Sequence, residues 1–326
     1  MMKAYIKHIS YYLPENKFTN QDIENLFPEW NNDKIISKIG VKSRRIAGKD
    51  QKVSDMAIEA IQNLCSEFQI NKSEIDYLII CTQSPDYFLP ATACIVQNKA
   101  GLPTSCGAID INQGCSGYIY GLTLAKGLII SKVAKNVVLV TSEMYSKHIH
   151  PLDKGNRSIF GDAATATLIS DNGEYEIGEF SLGGDGSGCE NLMIKNGGMQ
   201  NDKTGDTSFP SDDYLFMNGP EIFKFTAKVV PDLIFGTLAK NNESLDSVDQ
   251  FLFHQANTYM LKYLKKLIKI PDNKFIIDME DYGNTVSSTI PISLKNLITN
   301  NNHKDKILIA GFGVGYSWGA VCLYKS

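Results

Sequence analysis

Three short polar stretches of this chain carry side chains suited to acyl chemistry. The first is Asp110-Ile-Asn-Gln-Gly-Cys-Ser-Gly-Tyr118, where an apolar β-type run ends in a glycine-flanked turn and a helix-like segment (Tyr118 to Ile130) begins. A thiol at a helix start meets backbone N–H groups and the positive end of the helix dipole, which favour thiolate over thiol. Most cysteines of such a chain are simply buried; Cys115 differs in being flanked by Gly114 and Gly117, which permit a tight turn and close approach by a ligand. The second stretch, His254-Gln-Ala-Asn257, opens at the C-terminal end of a strand-like run. A lone histidine is often a satisfied core residue, but that end of a strand is where α/β proteins place functional groups. The third is Tyr282-Gly-Asn-Thr285, in which Asn284 reads either as an amide donor or as a turn or capping residue. Nucleophile, imidazole and amide together are the equipment of thioester chemistry.

Other motifs lead elsewhere or nowhere. Gly311-Phe-Gly-Val-Gly-Tyr-Ser-Trp-Gly319 follows a strand-like run, yet only seven residues remain after it, too few for a dinucleotide-binding βαβ unit. A glycine-rich turn offering backbone N–H groups to an anion fits better. His148-Ile-His150 lacks a third ligand nearby, so no metal is expected. Gly183-Gly-Asp-Gly-Ser-Gly188 lacks the lysine and following helix of a phosphate loop.

The elements that must position these groups alternate. Apolar, β-branched runs recur at Tyr77–Cys81, Gly107–Ile111, Val137–Thr141, Ala164–Ile169, Gln250–His254, Lys274–Ile277, Ile307–Ala310 and Ala320–Tyr324. Helical patterns lie between many of them, at Ser54–Phe68, Tyr118–Ile130, Pro220–Lys240, Asn257–Ile268 and Ser287–Leu297. This predicts an α/β fold with largely buried sheets, and a surface loop holding at most a short strand over Gly183 to Asp213. Ile75-Asp-Tyr-Leu-Ile-Ile-Cys81 is similar to Val248-Asp-Gln-Phe-Leu-Phe-His254, and Asn136–Thr141 to Asp305–Ala310. The chain therefore reads as two duplicated halves, 1–170 carrying Cys115 and 171–326 carrying His254 and Asn284, with a site where they meet.

Composition bounds the rest. With 326 residues, 43% hydrophobic and 21% charged, the chain has the make-up of a globular protein with room for two domains. A formal net charge of -4 gives no reason to expect nucleic acid. Seven scattered cysteines without a CxxC pair argue against a disulfide framework or zinc site and for a reducing compartment. No apolar stretch approaches a membrane span and no signal-like apolar region opens the chain, so no membrane association and a cytoplasmic location are expected.

Taken together, the motifs resemble the β-ketoacyl-acyl-carrier-protein synthase III family of the thiolase superfamily. Tyr12-Leu-Pro-Glu-Asn16 with Thr19-Asn20, Lys38-Ile-Gly-Val41, Pro90-Ala-Thr-Ala-Cys94, Gly114-Cys-Ser-Gly117, Phe160-Gly-Asp-Ala163, Met217-Asn-Gly219, His254–Asn257, Tyr282–Thr285 and Gly311–Gly319 follow in family order. The resemblance implies a five-layered αβαβα thiolase fold with two pseudo-duplicated halves, a homodimer, and no metal or other cofactor. It implies that an acyl thioester, on coenzyme A or a carrier, acylates Cys115, and that malonyl-carrier protein is then condensed with loss of CO₂ to a 3-oxoacyl product. His254 and Asn284 would donate to the malonyl thioester carbonyl, and the backbone N–H groups of Cys115 and Val314 would form the oxyanion hole.

The same resemblance implies a periphery in which this chain departs from housekeeping members. Lys34 and Lys38 stand where a Trp and an Arg stack on the adenine of coenzyme A, and Lys154 where a second Arg contacts the nucleotide. Lysine keeps the charge but loses the planar fork. Tyr259 replaces a carrier-docking Arg, and Leu89 a bulky Phe that caps the acyl pocket from the partner subunit. Carrier contacts are expected from Gln255, Ala256, Asn257, Thr258, Tyr259, Lys262 and Lys266. Lys262, Lys265, Lys266 and Lys269 form a stripe that reads either as a dock for an acidic carrier or as a solvated helix face. The departures suit a specialised relative, and the alternative is a thiolase-fold acyltransferase passing its acyl group to an oxygen or nitrogen acceptor in a lipid, polyketide or glycan pathway. A cysteine hydrolase is disfavoured by the missing signal and by the Ser-Gly after Cys115, and a catalytically silent scaffold by the intact Cys, His and Asn set.

Overall fold

The computed structural model describes residues 2–300 and 304–326. Its first half runs β1 (Tyr5–Tyr12), β2 (Lys17–Thr19), α1 (Asn20–Leu26), α2 (Asn32–Lys38), β3 (Ser43–Arg45), α3 (Val53–Phe68), β4 (Tyr77–Cys81), α4 (Thr92–Lys99), β5 (Gly107–Ile111), α5 (Gly117–Ile130), β6 (Asn136–Glu143), α6 (Lys154–Ile159) and β7 (Ala163–Ser170). The second runs β8 (Tyr175–Gly184), β9 (Leu192–Met193), β10 (Phe216–Met217), α7 (Gly219–Lys240), β11 (Gln250–Phe253), α8 (Thr258–Ile268), β12 (Phe275–Ile276), α9 (Thr289–Thr299), β13 (Lys306–Gly313) and β14 (Ser317–Lys325).

Ten strands follow the order β12-β11-β13-β14-β8-β1-β7-β6-β4-β5, which reads alike from either edge. In each half a parallel trio (β5-β4-β6 and β12-β11-β13) is extended by an antiparallel strand, β7 or β14. The two sets meet through a short antiparallel pairing, Tyr5 with Glu176 and Ile6 with Tyr175. Helices α5 and α9 touch strands of both sets, α3 and α4 cover the first set and α7 the second, with α8 against α7. The result is the five-layered αβαβα arrangement, with α5 and α9 as its middle layer.

Local sequence accounts for the pieces that hold the site. α8 starts at Thr258 because the Asn257 side chain accepts from Met260 N at 2.9 Å, and Met260, Leu261, Leu264 and Ile268 line its buried face. α7 is capped by Asn218 with Pro220 in its first turn. β6 and β7 bury nearly every side chain, which is why both read as continuous apolar runs. The expected strand over Lys274–Ile277 shortens to Phe275–Ile276, because residues 272–274 form a 3₁₀ turn. The glycine-rich 183–213 stretch is mainly loop, with a 3₁₀ turn at Gly186–Asn191 and β9 paired to β10.

Candidate active site

Cys115 stands immediately before α5 at the mid-layer, 6% exposed. Its own N–H and that of Val314 face the sulfur, so the β13–β14 turn supplies a second donor there. Backbone spacing explains the glycines: a Cβ on Gly313 would lie 2.9 Å from both Cβ and Sγ of Cys115, and one on Gly311 2.7 Å from the Cys115 carbonyl. Gly114 and Gly117 serve the same purpose rather than a left-handed turn. Their Cβ atoms would meet Val314 Cγ1 at 2.3 Å and Cys81 Sγ at 2.3 Å.

The expectation of a favoured thiolate is overturned. Burial, with a smaller contribution from the Glu143 carboxylate, pushes the Cys115 thiol up to about 12, beyond what the two N–H groups offset. Glu143 is itself fully buried and pushed up to about 8 by that burial, although Gln83 N and Ser84 Oγ donate to it at 3.0 and 3.2 Å. Resting Cys115 is a thiol that needs a base.

His254 follows the last residue of β11, its N–H donating to Ala310 O at 2.7 Å. The ring is buried, which holds it neutral by pushing it down to about 3. Nδ1 lies 2.8 Å from Thr289 Oγ1, at the start of α9, and that hydroxyl lies 3.0 Å from Val286 O. A hydroxyl pairs with either tautomer: it accepts from Nδ1–H, or donates to a bare Nδ1 while Nε2 carries the proton.

Asn284 is a turn residue whose amide also faces the imidazole. Its Oδ1 accepts from Val286 N at 2.8 Å, the contact of a turn residue, and this aims Nδ2 at His254 Nε2, 3.4 Å away. Its backbone is clamped by α6 and the following turn: Asn284 N donates to Ile159 O at 2.9 Å, and Gly161 N donates to Asn284 O at 3.0 Å. Gly283, at φ +72°, has Ile159 O 2.7 Å from where a Cβ would sit. The Phe160-Gly-Asp-Ala motif is therefore the bracket that holds the asparagine, with buried Asp162 accepting from Ala47 N at 2.8 Å and Ser146 N at 3.1 Å.

Cys115, His254 and Asn284 line one mainly apolar cavity of about 80 Å³ with Phe160, Met217, Phe312 and neighbouring apolar side chains. These three come together from sequence positions 139 (254−115) and 169 (284−115) residues apart. Sequence reasoning missed Thr289, Glu143 and the apolar lining from α7. None carries a local motif, although Phe160 and Met217 lie inside motifs that were recognised.

The outer residues divide. Gln255 is fully buried, donating to Phe253 O at 2.7 Å and accepting from Asp278 N at 2.7 Å, so it is withdrawn from the carrier-binding set. Ala256 and Asn257 line the cavity, and Thr258 packs against Gly40. Tyr259, Lys262 and Lys266 are exposed on α8, whereas Lys265 leaves the lysine stripe to pair with Asp272 at 2.5 Å. Lys34, Lys38 and Lys154 are at least partly exposed on α2 and α6. α2 reaches the cavity rim through Thr258 N, which donates to Ile39 O at 2.9 Å. Leu89 is 82% exposed and lines no part of the cavity of its own chain. Among the described residues no group of three His, Cys, Asp or Glu could hold a metal ion, and no helix is long and apolar enough to cross a membrane.

A buried thiol, a neutral imidazole and an oriented amide around one apolar cavity of a thiolase fold define a class of acyl-transfer enzymes. Comparison narrows it. A family model described as 3-oxoacyl-[acyl-carrier-protein] synthase III matches residues 109–186, and the model for its C-terminal part matches 238–325. The β-ketoacyl-[acyl-carrier-protein] synthase III of Clostridium perfringens is 37% identical over 315 residues, 96% of each chain, and that of Natranaerobius thermophilus 34% over 319, also 96% of each. A crystal structure of a 3-oxoacyl-(acyl-carrier-protein) synthase III superposes with TM-score 0.95 at 42% identity, covering 99% of this chain and 100% of the other. That of a 3-oxoacyl-(acyl-carrier protein) synthase from Burkholderia xenovorans LB400 gives 0.92 at 35%, covering 99% and 94%. The chain belongs to the β-ketoacyl-acyl-carrier-protein synthase III family, acyltransferases of the thiolase fold.

Proposed function

We propose that this enzyme works in fatty acid biosynthesis in the cytoplasm, transferring an acyl group from a thioester to Cys115 and condensing it with malonyl-carrier protein. The observation that carries this is the convergence of Cys115, His254 and Asn284 on one cavity, with the Val314 N–H turned to the sulfur. In acylation, His254 Nε2 takes the thiol proton as sulfur attacks the donor carbonyl, whose oxyanion the N–H groups of Cys115 and Val314 receive. The departing thiolate of the donor takes that proton. In the second half-reaction Asn284, and His254 in the tautomer that carries its proton on Nε2, donate to the malonyl thioester carbonyl, and loss of CO₂ leaves an enolate that they stabilise. Its carbon attacks the acyl-Cys115 carbonyl, expelling the cysteine thiolate, which takes up a proton from water.

Lys34, Lys38 and Lys154 would receive the donor's anionic end, and Tyr259, Lys262 and Lys266 an acidic carrier surface. The homodimer reading is supported by the exposed run Tyr87, Phe88 and Leu89, shortly before α4, whose Thr92 N donates to Asp110 of the edge strand β5 at 2.6 Å; Phe88 and Leu89 are each 82% exposed. Leu89 would then cap the partner's acyl pocket. The reaction proceeds without metal or redox cofactor in this account.

Intact-mass analysis after incubation with a panel of acyl-coenzyme A and acyl-carrier donors tests the reading. One acyl adduct is expected, absent from Cys115→Ala. Absence of an adduct with every donor would refute it.

A further inference from the structure

Glu29 sits in the turn between α1 and α2, in contact with two of the three lysines assigned above to the donor's anionic end. Its Oε1 lies 2.6 Å from Lys154 Nζ, and its backbone carbonyl accepts from Lys34 Nζ at 2.9 Å. Lys154 and Lys34 are thus engaged by one residue. Both side chains of the pair are exposed, but the backbone that carries Glu29 is fixed from both sides. Next to Glu29, Trp30 Nε1 donates to Ser158 Oγ at 2.7 Å, and Ser158 is fully buried on α6, the helix that carries Lys154. On the other side Asn31 caps α2, accepting from Lys34 N at 3.0 Å. The turn is pinned on both flanks, so the carboxylate is presented to Lys154 by the backbone.

We infer that Glu29 is a specificity residue which, by occupying Lys154, selects against donors whose thioester arm ends in a polyanionic nucleotide and in favour of those delivered on a carrier. A nucleotide bearing several phosphate charges must displace Glu29 to reach Lys154, and approaches its negative charge in doing so. A carrier-borne arm, with a single phosphodiester, loses little by leaving the pair intact. The inference rests on the acyl-thioester reading above and concerns which thioester reaches Cys115.

The test compares an acyl-coenzyme A with the same acyl group on N-acetylcysteamine, which has no phosphate. In Glu29→Gln the KM for the coenzyme A donor falls about threefold to fivefold, the range an exposed ion pair supports, and the gain shrinks at high salt. The KM for the N-acetylcysteamine thioester changes by less than about twofold. In a Lys154→Met background, adding Glu29→Gln shifts the coenzyme A value by less than about twofold, because the cation it frees is gone. An unchanged or raised KM for the coenzyme A donor, an equal fall for both donors, or a fivefold gain that persists without Lys154 would overturn the inference. Each of those outcomes requires Cys115 to be acylated by at least one donor. Failure of acylation with both donors and with an acyl-carrier contradicts the acyl-thioester reading itself, and with it the inference.

Discussion

The sharpest consequence of the site's geometry is that Cys115 reacts as a buried thiol, not as a preformed thiolate. Burial lifts it from the ordinary 9.0 to about 12. At pH 8 the thiolate fraction is then about 10⁻⁴ instead of about 10⁻¹, a loss of about 10³. A more basic thiolate is a better nucleophile, and a Brønsted coefficient of about 0.4–0.5 over three units returns about 15- to 30-fold. Net alkylation by iodoacetamide should therefore run about 30- to 60-fold slower than for an ordinary thiol, before any further delay from access to the small cavity. Exposed Cys94 and Cys189 provide internal references. Peptide-resolved mass spectrometry after timed quenching reads all three rates in one sample. The rate at Cys115 should rise about tenfold per pH unit from pH 6 to 9, since its titration lies above that range. Labelling of Cys115 ahead of both references, at a rate flat between pH 6 and 9, would show a thiolate–imidazolium pair and refute this account.

Asn284→Ala should lower decarboxylation of malonyl-carrier by about 10²–10³ while slowing Cys115 acylation far less, measured as CO₂ release against adduct formation. Glu143 keeps its proton to about 8 in the fold, against 4.5 ordinarily, so the folded state binds more protons in that window and stability falls as pH rises. Buried His254, held neutral down to about 3, gives the opposite slope while unfolded histidine titrates near 6.5, so the Glu143 contribution is read by difference: between pH 6 and 8 the stability of the wild type relative to Glu143→Gln in denaturant unfolding should decline by up to about 1.4 kcal/mol per pH unit. Gly313→Ala places a methyl 2.9 Å from the Cys115 sulfur; it should cost about 1–3 kcal/mol in urea unfolding and suppress acylation.

What was legible in the sequence had a local signature. β4 and β5 match their apolar runs end to end, and α5 and α8 lie within one residue of their periodic patterns; burial dictates the pattern of β4, α5 and α8, whereas every residue of β5 keeps some exposure. β1 and β8 were not legible: they lie at the centre of the sheet, yet their half-exposed sequences mix Lys, His, Glu and Gly with apolar residues. Cys115, His254 and Asn284 could be singled out because a strand end or a glycine marks each. The protonation state of Cys115 could not, since the helix-start argument sees the dipole but not the burial by both layers. Nor could the engagement of Lys34 and Lys154 by Glu29, 125 residues (154−29) from Lys154, which depends on how α6 packs against the turn before α2.

The central claim is that the acyl group on Cys115 passes to the carbon exposed by decarboxylation. The most direct measurement starts from acyl-enzyme freed of unbound donor and adds malonyl-carrier protein. The Cys115 adduct should disappear, with about one equivalent each of CO₂ and 3-oxoacyl-carrier formed per acyl group. An adduct that survives malonyl-carrier but is discharged to a hydroxyl or amine acceptor, without CO₂, would contradict it.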